Sequence, residues 1–217
     1  NPYNYPAWAR YLGIKAGGAG DKKKLEYLIQ FSKAMPHEHN LIDYVAGHVL
    51  KINPEKVNPY ELYACGVSPD STPEAEELFI RQFWKKLIAD CPEVKLHAVY
   101  KEGTTGNFLN LWLEKSKNVK WNSKMKSKTS KAFQQALLVL TGKEKTCIKM
   151  MKSYRRFLIM WNDEKYMMQA HEFVQDHLKG ITSDQVKKEM AGMGRKMGIL
   201  LKNDKILNMY GQNRESE

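Results

Sequence analysis

Apolar residues recur along this chain at intervals of three and four, the spacing of a helix with one buried face, and seldom alternate as a half-buried strand requires. Leu25, Leu28, Ile29 and Phe31 mark a stripe that starts at Asp21 and stops before Pro36. Leu41, Ile42, Val45 and Val49 mark a second, ended by Asn53-Pro54, and a short piece follows around Tyr60 to Cys65. Ser71-Thr72-Pro73-Glu74 reads as a helix start, a hydroxyl cap followed by a proline in the first turn. It opens an amphipathic helix carrying Leu78, Phe79, Phe83, Leu87 and Ile88, which ends near Pro92.

Val94 to Tyr100 alternates somewhat, and a short helix is favoured there over a strand. Gly103 to Gly106 is a turn, and Phe108, Leu109, Leu111, Trp112 and Leu113 form a further helix. Polar, lysine-rich sequence then reads as an exposed loop up to residue 131. Phe133, Ala136, Leu137 and Leu140 define the next helix, with Gly142 as its C-cap. Lys143 to Trp161 and Glu164 to Leu178 form a helical pair jointed at Asn162-Asp163 and stopped at Gly180. Ser183 starts a last helix with Met190, Met193, Met197, Leu200 and Leu201, weakened at Gly192, Gly194 and Gly198 by about 1 kcal/mol each relative to alanine.

The pattern therefore predicts an all-α fold of roughly eight to ten helices, in two lobes flanking a basic cleft, with an extended N-terminal arm. The expected parts are an arm over 1–20, a neutral lobe over 21–114, a basic loop over 115–131 and a basic lobe over 132–217. The arm is assigned because Pro2 and Pro6 disfavour an early helix and Gly17, Gly18 and Gly20 make a joint. Its Tyr3, Tyr5, Trp8, Tyr11, Leu12 and Ile14 are too apolar to leave in water. They either fold back over their own core or dock into a second copy of the chain.

Composition adds little until charge is counted. A 42% hydrophobic content over 217 residues suits a globular protein. The formal charge of +11 is unevenly spread. Residues 1–111 balance 13 basic against 13 acidic residues, whereas residues 115–156 hold 13 basic residues and one acid, Glu144. Excess positive charge confined to one segment points to an anionic polymer or a membrane surface.

In the helix from Lys143, Lys145, Lys149, Lys152 and Arg156 fall within about 60° of arc, with Arg155 beside them. Cys147, Met150, Met151, Tyr154, Leu158 and Trp161 take the other side. Like charges four residues apart destabilise a helix, so an anionic partner would offset a real cost. The preceding segment adds Lys115, Lys117, Lys120, Lys124, Lys126, Lys128 and Lys131, flexible point charges suited to phosphate contacts. Trp121 among them either stacks on an unpaired base or anchors the segment to the core, the second being slightly favoured.

Other chemistry fits less well. His37-Glu38-His39 and His171-Glu172 with His177 lack the spacing of a zinc helix, and Thr141-Gly142-Lys143 lacks the upstream glycine of a phosphate loop. Three widely spaced cysteines, Cys65, Cys91 and Cys147, argue against a disulfide framework and for a reducing, intracellular (cytoplasmic) compartment. No catalytic set, cofactor or metal is expected, and neither a membrane span nor a signal-peptide pattern. With no sequence-reading motif present, the expected function is sequence-nonspecific binding of RNA, or single-stranded nucleic acid, by a self-associating structural protein. An architecture of this kind is expected of a nucleocapsid or coat protein, incorporated in a virion. The alternatives are a peripheral membrane or matrix-type protein on anionic lipid, and a helical adaptor for an acidic protein.

Overall fold

A computed structural model describes residues 5–34, 39–53, 58–64, 67, 72–92 and 120–210. Among these residues the chain is mostly helical, with ten α-helices, one π-turn and no strand, as the apolar spacing requires. The elements expected over 94–100, 103–106 and 108–113 lie outside the described residues, as do Tyr3, His37, Glu38, Lys115 and Lys117. So do the side chains of Tyr5, Trp8 and His39. The chain divides into two compact units, 1–68 with 72–83, and 69–71 with 84–217. The second unit takes in the buried Trp84, whose ring packs with Phe133 and Phe157.

In the first unit, α1 (Tyr5–Ala16) replaces the extended arm expected from sequence. Pro6 falls in its first turn, where a missing backbone N–H costs nothing. Leu12 and Ala16 are buried, so this helix is committed to its own unit, packing on α2 (Asp21–Ala34) and on a π-turn. Gly18 takes a left-handed φ of 75° at the joint between α1 and α2, the glycine role anticipated there. After α3 (His39–Tyr44), the π-turn Val45–Val49 is closed by Leu50 N–H donating to the Val45 carbonyl at 2.8 Å. The wider turn brings residues five apart to one side, and both Val45 and Leu50 are buried. In α4 (Pro59–Tyr63) the Tyr60 ring meets Phe83 at 5.3 Å. Phe83 lies on α5 (Pro73–Asp90), whose start is capped by the Thr72 hydroxyl accepting from Ala75 N–H, as the sequence indicates.

The second unit holds α6 (Ser123–Leu140), α7 (Glu144–Trp161), α8 (Glu164–Leu178), α9 (Asp184–Leu201) and α10 (Asp204–Met209). Helices α6 and α9 each pack on both α7 and α8, and α10 folds back on α9. Local chemistry sets the boundaries. Asn162 ends α7 with a left-handed φ of 47°, and the next residue, Asp163, caps α8 through Lys165 N–H. Ser183 caps α9 in the same way through Val186 N–H. Gly142, by contrast, sits in the α6–α7 turn without the left-handed backbone expected of a glycine cap. The tight link closes instead through Lys143 N–H donating to the Leu140 carbonyl.

The glycines of α9 have a purpose that helix propensity hides. The Tyr210 ring lies directly on the Gly194 backbone, where a Cβ would overlap it, and a Cβ at Gly198 would come within 2.9 Å of Ile206. These two positions admit α10 and the residue after it. We expect Gly194→Ala to displace the Tyr210 ring and to lower stability by up to about 2 kcal/mol, as overpacking of about 1–3 kcal/mol outweighs the roughly 1 kcal/mol gain in helix propensity. A thermal melt checks the sign, and a rise in Tm would contradict the close approach.

Tyr210 also hydrogen-bonds His171 Nδ1 at 2.8 Å. His171 is buried, and burial lowers its pKa, with the nearby Glu172 acting in the opposite direction. The folded state therefore binds this proton less readily than the unfolded chain. The stability His171 confers is complete above its ordinary value of about 6.5 and is lost as the pH falls below it. The difference in Tm between wild type and His171→Phe should shrink on acidification. A difference independent of pH would rule the mechanism out.

Candidate nucleic-acid interface

The basic segment is built differently from its sequence reading. From Ser123 onward it is the first half of α6, not a loop. The Asn122 side chain caps the helix, accepting from Met125 N–H at 2.9 Å. Met125, Thr129, Ala132 and Phe133 then bury one face at helical spacing. Lysine is itself a good helix former, so a lysine-rich stretch with a cap and a buried stripe folds as a helix. Both the cap and the stripe are visible in the sequence, but the density of polar residues masks them.

Helical geometry sorts the lysines. Lys124, Lys128 and Lys131 recur at i, i+4 and i+7 on the side of α6 away from Phe133. Lys124 and Lys131 are exposed, as is Lys120 just before the helix. The Lys128 ammonium donates to the Asp90 carbonyl. Lys126 points toward the packed side, pairing with Asp163 at 3.0 Å, with only 16% of its side chain exposed. This pair supplies a negative charge beside an α6 first turn that has no acid of its own. Lys126 and Lys128 therefore serve the fold and leave the set of outward charges.

On α7 the two faces separate as the spacing demands. Lys145, Lys149, Lys152 and Arg156 are all exposed, whereas Cys147, Met150, Met151, Tyr154, Leu158 and Trp161 are buried. The cationic row runs about 16 Å along the helix. Arg155 lies at its edge and is half-buried. Two outward apolar residues, Leu138 on α6 and Ile159 on α7, were not singled out by the sequence, since periodicity gives each the look of a core position.

Beneath the row is an aromatic core. The Phe157 ring contacts Trp84, Phe133, Trp121 and Trp161 at centroid distances of 6.1, 5.6, 5.7 and 5.8 Å. Trp121 also lies 5.3 Å from Trp161. Held between two buried rings and itself half-buried, Trp121 anchors the start of α6. Phe133 stacks on Tyr154, whose hydroxyl accepts from Gln134, and burial pushes the Tyr154 phenol up to about 12. The Cys147 thiol is likewise pushed up to about 12 by burial and stays protonated. His177 donates from Nδ1 to the Phe173 carbonyl and His171 binds Tyr210, so each has a packing role. Among the described residues no cluster of His, Cys, Asp or Glu is placed to hold a metal ion. No described helix is long and apolar enough to cross a membrane.

These features define a class: an all-helical protein with one face of a long helix given to exposed cations and the other to an aromatic core. Compared with models of known protein families, with curated proteins and with solved structures, the chain matches none.

Proposed function

We propose that the protein binds RNA, or single-stranded nucleic acid, without reading its sequence, and that copies assemble along the strand as in a nucleocapsid or coat. The observation carrying this reading is the exposed row Lys145, Lys149, Lys152 and Arg156 on α7, with Lys120, Lys124 and Lys131 exposed on and before α6. Six of these seven charges lie on two helices that contain a single acidic residue, Glu144. Concentrated like charge raises the energy of the free protein, and phosphate relieves it while releasing the polymer's counterions. Self-assembly is supported by α1, which buries Leu12 yet leaves Tyr11 and Ile14 exposed at 50% and 72%. Lys15 lies over the Tyr11 ring at 5.3 Å, and the apolar surface of Tyr11 and Ile14 is what a second copy would cover.

A surface of anionic lipid is the second reading, favoured by the exposed Leu138 and Ile159, apolar groups able to enter a headgroup layer. Retention of poly(U) and poly(A) is to be measured beside flotation with vesicles containing phosphatidylserine. The RNA reading predicts similar retention of both homopolymers and little flotation. Flotation without RNA retention would replace it with the membrane reading.

A further inference from the structure

We infer that the α6–α7 surface reads phosphate alone, so that a polyphosphate chain carrying neither base nor sugar occupies it as RNA does. The inference rests on the RNA reading above and names its ligand chemistry more narrowly. Recognition of bases by a helical surface needs an outward ring for stacking or a free polar side chain for the base edges. The rings of these helices are turned inward. Phe133, Tyr154 and Phe157 are fully buried, Trp161 is 9% exposed, and Trp121 is wedged against Phe157 and Trp161.

Four neutral polar side chains on or beside these helices are likewise engaged by the fold. Asn122 accepts from Met125 N–H, Ser127 bonds the Tyr166 hydroxyl, Gln134 donates to Tyr154, and Ser153 donates to the Lys149 carbonyl. Apart from Ser123, Ser127, Leu138 and Ile159, what α6 and α7 turn outward is charge, and six of the seven exposed cations are lysines. An ammonium is a rotatable point charge that suits a phosphate oxygen. It lacks the planar fork by which arginine pairs with a guanine edge or stacks on a ring. The row on α7 steps by four, three and four residues, about 6, 4.5 and 6 Å along the axis, a ladder of charges for any flexible phosphodiester or phosphoanhydride chain.

The test is a competition with the full chain. Labelled poly(U) is bound at low salt, then displaced by unlabelled poly(U) or by inorganic polyphosphate with the same number of phosphates, at fixed ionic strength. The expected midpoints agree within about threefold, since phosphate contacts carry the affinity. Both affinities should fall together in the variant with Lys145, Lys149, Lys152 and Arg156 replaced by Gln. Polyphosphate weaker than poly(U) by more than that margin overturns this inference and leaves RNA binding standing. Failure of labelled poly(U) to bind at all is the separate result that removes the RNA reading and this inference with it. Trp121→Phe provides a second arm, because phenylalanine keeps a ring in the packed site. It should leave the ratio of the two affinities unchanged, and a selective loss of poly(U) binding would give Trp121 a base to stack on and contradict the inference.

Discussion

Replacing Lys145, Lys149, Lys152 and Arg156 together by Gln is expected to weaken RNA binding by about 10²–10³-fold near ~0.1 M salt while leaving the melting temperature unchanged or slightly raised. The expectation follows from where these side chains sit. All four are exposed along one side of α7, and Gln preserves helix propensity and length. Each phosphate neutralised on a single strand contributes about 0.7 to the dependence of log K on log salt, so four lost contacts account for the drop. Stability moves the other way, since like charges at i,i+4 cost roughly 0.2–0.5 kcal/mol per pair and their removal relieves α7. Retention of labelled poly(U) and a thermal melt read the two effects. A fall in Tm of many degrees would show that the row holds the fold together.

The opposite face of the same helix should respond in the opposite sense. Phe157→Ala removes the ring on which Trp84, Trp121, Phe133 and Trp161 converge, at a site with no solvent exposure. A buried phenylalanine cut to alanine costs about 3–5 kcal/mol in lost transfer energy and cavity formation. For a chain of this size each kcal/mol shifts Tm by about 2–4 °C, so a decrease on the order of 10 °C or more is expected. Calorimetry measures it directly. A change of only a degree or two would mean that α7 is not seated on the aromatic core, and the sorting of its faces would fall with it.

These faces were legible in the sequence because they depend only on spacing within one helix. The same holds for Thr72-Pro73, Asn162-Asp163 and Ser183, where a short polar side chain next to an apolar run does the capping in place. What the sequence hid depends on partners far along the chain. Lys126 and Lys128 read as free charges until Asp163 and Asp90, 37 and 38 residues away, take their ammonium groups. Gly194 and Gly198 read as weak points until Tyr210 and α10 are seen lying on them. Two segments differ from their sequence reading for local reasons. Pro6 reads as a barrier to helix although a first-turn proline is tolerated, and the polar density of 123–131 hides a cap and a buried stripe that are both present.

The central claim is that the exposed cations of α6 and α7, together with Lys120 before them, hold a phosphate backbone, and the salt dependence of poly(U) binding tests it most directly. If all seven engage, log K falls against log salt with a slope of about −5, and the fourfold Gln variant retains a slope of about −2. A shallow slope in the wild type, or an unchanged slope in the variant, would contradict the account.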